Sequence, residues 1–237
     1  MGKCLQQAYK GTNLFVCQGN KVKAIVLIHG GKASTERAKE MCEEYARYFY
    51  PEFTLISVDY HFSGYGGKEL EDVVNAIDYA YYLSMTKVFL IGESHGGYLA
   101  LLAATRKDIN GVIDAYGPTD LLTMQTYATQ GNPQLNVDWE DYIQATLQEC
   151  NMRGLDIQSC IRQRSPYYLA DRIQAPLLIL HGTADEVVPF SQSKMLVERF
   201  EAIGKENYHF VSLNGYTHGF SLLEKKVLPI VKEFLEK

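Results

Sequence analysis

The segment FLIGESHGGYLALLAA, residues 89–104, joins two apolar runs through a short stretch of glycine and polar residues. The first run has the length and composition of a buried strand, and the second has those of a helix. Between them, Ser94 lies in the pattern Gly-x-Ser-x-Gly, in which a sharp strand-to-helix turn raises the serine side chain above a sheet. The segment therefore predicts a reactive serine at the end of a strand, with a serine that merely caps the helix as the alternative.

Short β-branched runs and longer helical periods alternate along most of the chain, which is typical of a mostly parallel central sheet flanked by helices. Apolar runs that end in glycine or polar residues predict the strands KAIVLIHG (23–30), FTLISVDY (53–60), KVFLIG (87–92), NGVIDAYG (110–117), APLLILHG (175–182) and NYHFVSLNG (207–215). Helical composition predicts the helices at 34–49, 67–83, 95–106, 190–204 and 221–237, with Pro229 at a kink or break in the last. The predicted fold class is α/β.

The alternation stops after Pro118 and resumes at about Ser165. Residues 119–165 contain helical stretches but no convincing strand, so we predict a helical cap inserted between two strands. The sequence contains no repeat, low-complexity tract or linker. We therefore expect residues 1–237 to form a single domain with a cap insertion at about 119–165, because an α/β fold of this length need not be divided.

Composition narrows the function classes. The formal net charge is -5, and no Lys/Arg cluster exceeds the pair Lys225 and Lys226, so the charge pattern favours neither nucleic acid nor an anionic membrane as partner. No apolar run approaches the roughly 18 residues of a membrane span, and the N-terminal stretch lacks the apolar core of a signal peptide. We expect a cytoplasmic protein that acts on a small molecule. The oligomeric state is not predicted.

Five cysteines are present, and none belongs to a Cys-x-x-Cys or Cys/His cluster with metal spacing, so neither a metal site nor a cofactor is expected. Cys150 and Cys160 are close enough in sequence to pair across a turn in an oxidising compartment. With no export signal recognised, reduced thiols are expected instead.

Polar residues that directly follow predicted strands should meet at one edge of the sheet, where the strands of an open parallel sheet deliver their carboxyl ends. Ser94, Asp185 and His218 all satisfy this condition. A serine nucleophile requires a base within hydrogen-bond reach and an acid that orients the base, and these residues follow the chain order nucleophile, acid, base. We predict that they form a catalytic triad whose activity rises as His218 loses its proton.

Alternatives exist for two members of this triad. Glu186 and Asp120 compete with Asp185, which comes first in its turn. The chain has five other histidines, His29, His61, His95, His181 and His209, but only His218 follows both the acid and the last strand.

Backbone amides are predicted to bind the oxyanion. The N–H of His95 lies directly after the nucleophile at a helix N-terminus, and the N–H of Gly31 in the loop HGGK is the expected second donor. The side chain of His95 should point away from Ser94, and His29 is expected to shape the loop rather than react.

Several segments together resemble the α/β-hydrolase fold, and more narrowly the catalytic domain of the prolyl oligopeptidase family and related stand-alone esterases. They are HGG at residue 29, VDYHFSGYGGKELEDVVNAIDY, GESHGGYLAL, SPYYLADRIQAPLLILHGTADEVVPFSQS and YTHGF. The resemblance places the nucleophile, acid and base of this family at Ser94, Asp185 and His218. It also covers dienelactone hydrolases, which have a cysteine where this chain has Ser94.

Only about twenty residues precede the first strong strand, so the N-terminal propeller of the peptidases is not expected, and the esterase branch is favoured. The expected activity is that of a serine carboxylesterase acting on small or medium acyl or aryl esters. Two alternatives are a small peptidase or acyl-amide hydrolase, and a non-catalytic ligand-binding protein with a hydrolase fold.

The predicted cap carries aromatic residues that are candidates for a substrate pocket: Tyr127, Trp139 and Tyr142. Aromatic rings can line an apolar pocket, but they can equally attach the cap to the body of the protein.

Overall fold

The structure, a computed structural model, describes residues 3–64, 66–131 and 133–236, with the side chains of residues 131–140 excluded. An eight-stranded sheet runs through the centre in the order β1-β2-β4-β3-β5-β6-β7-β8. Its strands are β1 (Leu5–Tyr9), β2 (Thr12–Cys17), β3 (Lys23–Ile28), β4 (Thr54–Asp59), β5 (Lys87–Glu93), β6 (Gly111–Ala115), β7 (Leu177–Gly182) and β8 (Tyr208–Leu213). From β4 through β8 all neighbours are parallel, whereas β2 is antiparallel to β1 and β4. The predicted α/β class with a mostly parallel sheet is confirmed.

Helices cover both faces of the sheet. They are α1 (Thr35–Phe49), α2 (Lys68–Tyr82), α3 (His95–Ala104), α4 (Leu121–Gly131), α5 (Pro133–Met152), α6 (Ile157–Arg162), α7 (Ser191–Ala202) and α8 (Leu228–Glu236), and a 3-10 helix spans Pro166–Arg172. Within β3, Val26 packs with α2 and α3 on one face, and Leu27 packs with α1 and α8 on the other. This alternation of side chains along each buried strand produces two apolar cores.

Helix α1 illustrates how local sequence sets these elements. Ser34 is its N-cap, and the serine hydroxyl accepts a hydrogen bond from the backbone N–H of Arg37 at 3.2 Å. Its buried residues recur at helical spacing and pack on the sheet: Ala38, Met41, Cys42, Tyr45, Ala46 and Phe49. The helix therefore presents one apolar face to the core and the opposite face to solvent.

The N-terminal hairpin of β1 and β2 is absent from the sequence prediction. Lys10 and Gly11 both have positive φ, at 49° and 79°, as a two-residue type I′ hairpin turn requires. Four of the five residues of β1 are exposed, so this edge strand lacks the apolar pattern that identified the inner strands. A second difference lies at the C-terminus, where α8 begins at Leu228 and places Pro229 in its first turn, a position that proline tolerates.

The structure differs from the expectation of reduced thiols. It contains the disulfides Cys4–Cys42 and Cys150–Cys160, with Cα–Cα distances of 6.4 Å and 6.0 Å, and leaves Cys17 buried and free. The first links the N-terminal segment to α1, and the second links α5 to α6. The expectation of reduced thiols was wrong because it rested on the lack of a recognised export signal, and the wide sequence separation of Cys4 and Cys42 gave no indication of their contact.

Alkylation of the unfolded protein, purified without reductant, is expected to modify Cys17 alone. Prior reduction should expose all five cysteines present in the sequence. Mass spectrometry of the alkylated chain counts the modified thiols directly. Five modified cysteines before reduction would contradict both disulfides.

Glycines in the β5–α3 turn bring α3 close to the neighbouring strand. A Cβ at Gly96 would collide with the carbonyl oxygen of Ile28 and lie 2.7 Å from that of His29. Backbone atoms cannot move aside as a flexible side chain can. The close approach fixes the position of the turn relative to the end of β3.

Gly96→Ala is therefore expected to destabilise the protein by about 3 kcal/mol, at the upper end of the usual cost of overpacking. Gly204→Ala is the matched control, because the added Cβ meets no atom within 4 Å there and only the positive φ of 72° is strained. Its expected cost is about 1 kcal/mol. Urea unfolding of the two variants measures the difference, and equal destabilisation would contradict the packing argument.

Across the described residues, no helix combines the length and the apolar character that crossing a bilayer requires.

Candidate active site

Ser94 lies in the turn between β5 and α3, with φ 54° and ψ −119°. Its backbone N–H donates to the carbonyl of Ala115 at 2.8 Å, and its carbonyl accepts from Tyr98 N–H at 3.1 Å. A positive φ is a strained conformation for a residue with a side chain, and here hydrogen bonds to β6 and α3 hold it. The turn directs the hydroxyl of Ser94 into the cleft at the end of the sheet.

His218 lies in the loop after β8 and contacts both other members of the predicted triad. Its Nε2 is 2.9 Å from Ser94 Oγ, and its Nδ1 is 2.8 Å from Asp185 Oδ2. The ring packs edge-on against Tyr116, with 4.9 Å between ring centroids. The structure thus brings together three residues that are far apart in the sequence.

Asp185 occupies the turn after β7, and its side chain is fully buried. The backbone N–H groups of Val187 and Val188 each donate to Oδ1 at 2.9 Å. Burial acts to raise the pKa of Asp185, but hydrogen bonds from His181 and His218 outweigh it and hold the pKa at about 2. The carboxylate is therefore ionised at neutral pH and able to hold the Nδ1–H of His218.

The rejected alternatives have other contacts. The side chain of Asp120 accepts from the N–H of Leu122 at 3.0 Å, at the start of α4. Glu186 is exposed. His95 Nε2 is 3.2 Å from a carboxylate oxygen of Glu69, in α2, and His29 Nδ1 is 3.0 Å from the carbonyl of Gly30.

The expected oxyanion donors flank Ser94. His95 is the first residue of α3, and Gly31 lies in the β3–α1 loop with φ 75°. The hydroxyl of Tyr60 lies 2.6 Å from the carbonyl oxygen of Gly31 and 3.1 Å from that of His29. Its hydrogen bonding to these carbonyls holds the loop in place. Gly31 and His95 line the same cleft as Ser94 and His218.

Gly31→Ala is expected to lower kcat about 10²-fold with little change in KM, because it forces the loop amide out of position in the transition state. The strain comes from the positive φ, since the added Cβ would meet only the movable guanidinium of Arg37. Ala33→Gly, at an exposed position in the same loop, serves as the loop control. Steady-state kinetics with one ester separate the two parameters, and a rise in KM alone would contradict the oxyanion role of Gly31.

The cleft has a volume of about 730 Å³ and is open to solvent above Ser94. Helix α1 contributes Glu40 and Glu44 to the lining of the cleft, and α5 contributes Tyr142. The ring of Tyr142 packs against His95 at 4.9 Å between centroids. Of the three aromatic candidates for a substrate pocket, the structure brings Tyr142 to the cleft.

Tyr127 lies elsewhere, so its prediction as a pocket residue is not matched by the structure. Its hydroxyl donates to the carbonyl of Glu186 at 3.0 Å, which ties α4 to the turn that carries Asp185. Whether a side chain of the cap reaches the cleft depends on the face of the helix on which it lies. The sequence of the cap lacks the strong helical periodicity that would identify that face. The side chain of Trp139 lies outside the described residues.

Two residues that the sequence analysis did not assign also belong to this region. Glu93, next to the nucleophile, accepts a hydrogen bond from the Tyr45 hydroxyl at 2.6 Å, and burial raises the pKa of its carboxyl. His181 lies at the end of β7 and contacts Asp185. The sequence signals are weak: Glu93 adjoins the predicted nucleophile, and His181 lies near a strand end four residues before Asp185.

The fold, with its strand order and β5–α3 turn, defines the chain as an α/β-hydrolase. Within that class the chain belongs to the BD-FAE family, whose model matches residues 15–200. The predicted resemblance to this fold is therefore confirmed.

Curated relatives include both esterases and peptidases. Esterase LipC of Mycobacterium tuberculosis is 36% identical over 63 residues, which are 27% of this chain and 16% of the relative. The uncharacterized peptidase YuxL of Bacillus subtilis is 27% identical over 156 residues, which are 60% of this chain and 21% of the relative. The chain thus spans about a fifth of the length of the curated relatives it matches.

Solved structures show the same fold at low identity. An acylaminoacyl peptidase in complex with Z-Gly-Gly-Phe-chloromethyl ketone matches with a TM-score of 0.75 and 19% identity, covering 100% of this chain and 41% of that one. A truncated form of a carbohydrate esterase from gut microbiota matches with a TM-score of 0.70 and 19% identity, covering 100% of this chain and 98% of that one.

Proposed function

We propose that this chain is a serine carboxylesterase that cleaves small or medium acyl or aryl esters through an acyl-enzyme on Ser94. The observation that carries the proposal is the hydrogen-bonded series from Ser94 Oγ to His218 and on to the buried carboxylate of Asp185, open to a cleft. A serine hydroxyl next to a neutral imidazole that is oriented by a carboxylate has the arrangement needed for acyl transfer.

In the acylation step, Ser94 Oγ attacks the ester carbonyl carbon while His218 Nε2 takes the hydroxyl proton. The amides of Gly31 and His95 donate to the oxyanion that forms. His218 then gives its proton to the leaving alkoxide oxygen as the ester C–O bond breaks, which releases the alcohol and leaves the acyl group on Ser94. Asp185 stays ionised and stabilises the imidazolium.

Deacylation repeats these roles with water as the nucleophile. His218 takes a proton from water as the water oxygen attacks the acyl carbon, and a second oxyanion forms at the same donors. His218 returns that proton to Ser94 Oγ as the bond between Ser94 and the acyl carbon breaks. The carboxylic acid leaves, and the resting enzyme is restored.

We further propose that residues 119–165, which contain α4 to α6, act as a cap inserted into one domain. The cap residue Tyr142 lines the cleft, which supports a role in shaping the bound ester. The substrate is a small molecule in this proposal.

The cellular location is a separate question. Disulfides persist in oxidising compartments. The pairs Cys4–Cys42 and Cys150–Cys160 therefore argue against the cytoplasmic location expected from the sequence, and the thiol count of protein isolated from its source decides between the two.

A peptidase or acyl-amide hydrolase is the second candidate, supported by the similarity to YuxL and to an acylaminoacyl peptidase. Comparing p-nitrophenyl acetate with aminoacyl p-nitroanilides separates the two candidates. We expect turnover of the ester. In a panel of esters, the rate of turnover should depend on the length and aromaticity of the acyl group. Turnover of the anilides alone would overturn the esterase proposal in favour of the peptidase.

A further inference from the structure

A second imidazole contacts the same carboxylate oxygen that holds His218. His181, the fifth residue of β7, is fully buried, and its Nε2 lies 3.3 Å from Asp185 Oδ2 and 2.9 Å from the carbonyl oxygen of Val188. Its Nδ1 is 2.7 Å from the hydroxyl of Ser193, a buried residue of α7. Every polar atom of the ring therefore has a partner in the turn or the helix that follows β7.

These partners fix which nitrogen carries the hydrogen. The carbonyl oxygen of Val188 can only accept, so Nε2 of His181 is the donor. In the neutral ring, Nδ1 then accepts from the hydroxyl of Ser193. The Nε2–H donates to the carbonyl of Val188, and Oδ2 of Asp185 lies 3.3 Å from the same nitrogen, so the partial positive charge of this N–H also acts on Oδ2.

We propose that His181 is a positioning residue that sets the base strength of His218 through Asp185. This inference rests on the proposed triad. The N–H of His181 offsets part of the negative charge on Oδ2, which weakens the attraction between Asp185 and a protonated His218. His218 consequently gives up its proton at a lower pH and is available as a base over a wider range.

Other ionisable groups face this network from neighbouring elements. Asp114, in β6, is buried, and burial raises its pKa to about 7, an effect opposed by the charge of His181. Tyr116, after β6, contacts His218, and burial raises the pKa of its hydroxyl well above the ordinary value. Tyr127 and the exposed Glu186 lie beside Asp185. A test must therefore separate the hydrogen bond of His181 from its charge.

Two substitutions achieve this separation. His181→Leu removes the donor, whereas His181→Gln retains an N–H at the ε position. Both remove any charge of the ring, so an effect through Asp114 is the same in both variants. A difference between them reports the hydrogen bond to Asp185. His209→Leu, at an exposed histidine in the adjacent strand β8, is the matched control.

NMR titration of the His218 ring in the resting protein is the primary measurement. In His181→Leu we expect the titration midpoint to rise by roughly one pH unit. The acid limb of kcat/KM for an ester should move upward with it while KM stays near the wild-type value. His181→Gln and His209→Leu should keep the wild-type midpoint. A general loss of packing would not be rescued by glutamine.

An unchanged midpoint in His181→Leu, or an equal shift in His181→Gln, would overturn the inference. If the leucine variant does not fold, Ser193→Ala takes its place, because loss of the hydroxyl that holds the ring should move the midpoint upward by a smaller amount. No movement in that variant would equally overturn it. A wild-type protein without ester turnover would instead refute the proposed function, while the NMR titration would still decide the role of His181.

Discussion

Ser94→Ala is expected to lower kcat for p-nitrophenyl acetate by about 10⁶-fold, which is the scale of losing the nucleophile in a serine hydrolase. The residual rate would come from the oxyanion donors and from binding alone. The methyl side chain leaves the strained turn and its backbone hydrogen bonds to Ala115 and Tyr98 unchanged, so the variant should fold. Steady-state kinetics and thermal unfolding of the same preparation measure both expectations.

Ser191→Ala is the control for this variant, because Ser191 is exposed at the start of α7. It should retain wild-type kinetics. A Ser94→Ala protein that unfolds at the wild-type temperature and keeps more than a hundredth of the wild-type kcat would show that another group is the nucleophile.

Asp185→Asn is expected to lower kcat by about 10⁴-fold, the size of effect measured for the corresponding change in a different serine hydrolase. An asparagine can present its N–H₂ group to His218, which favours the wrong tautomer of the ring and leaves no acceptor for the Nδ1–H. The ester itself does not contact Asp185 in the proposed mechanism. KM should therefore change little.

Glu186→Gln is the matched control, since it makes the same chemical change at the adjacent, exposed residue. It should leave kcat within about twofold of the wild-type value, because substitutions of exposed side chains usually have small effects. A larger loss in Glu186→Gln than in Asp185→Asn would show that Glu186, and not Asp185, is the acid. That comparison also decides between the two acids that the sequence leaves open in this turn.

The meeting of the three predicted triad residues could be predicted because parallel strands deliver their carboxyl ends to one edge of the sheet. Ser94, Asp185 and His218 each follow a buried apolar strand, and the structure brings them within hydrogen-bond distance. The contact of His181 with Asp185 was not predicted. It depends on how far the turn after β7 folds back over the strand, and no residue pattern encodes that distance.

Other elements lack an apolar pattern that could predict them. Strand β1 lies at the sheet edge and is mostly exposed, so its sequence has no alternation of apolar and polar residues that would predict it.

Two further features depend on tertiary packing. The disulfide Cys4–Cys42 joins cysteines separated by 38 residues in the sequence. Tyr142 of α5 lines the cleft, whereas Tyr127 of α4 contacts the carbonyl of Glu186. The packing of each helix decides where its side chains lie, and the sequence does not reveal that packing.

Mass spectrometry after reaction with a fluorophosphonate tests the central claim most directly, because the probe bonds covalently to an activated serine and requires no knowledge of the substrate. We predict one adduct per chain, on the peptide that contains Ser94, and much slower formation in His218→Ala. No adduct, or an adduct on another residue with Ser94 unmodified, would contradict the assignment of Ser94 as an activated nucleophile.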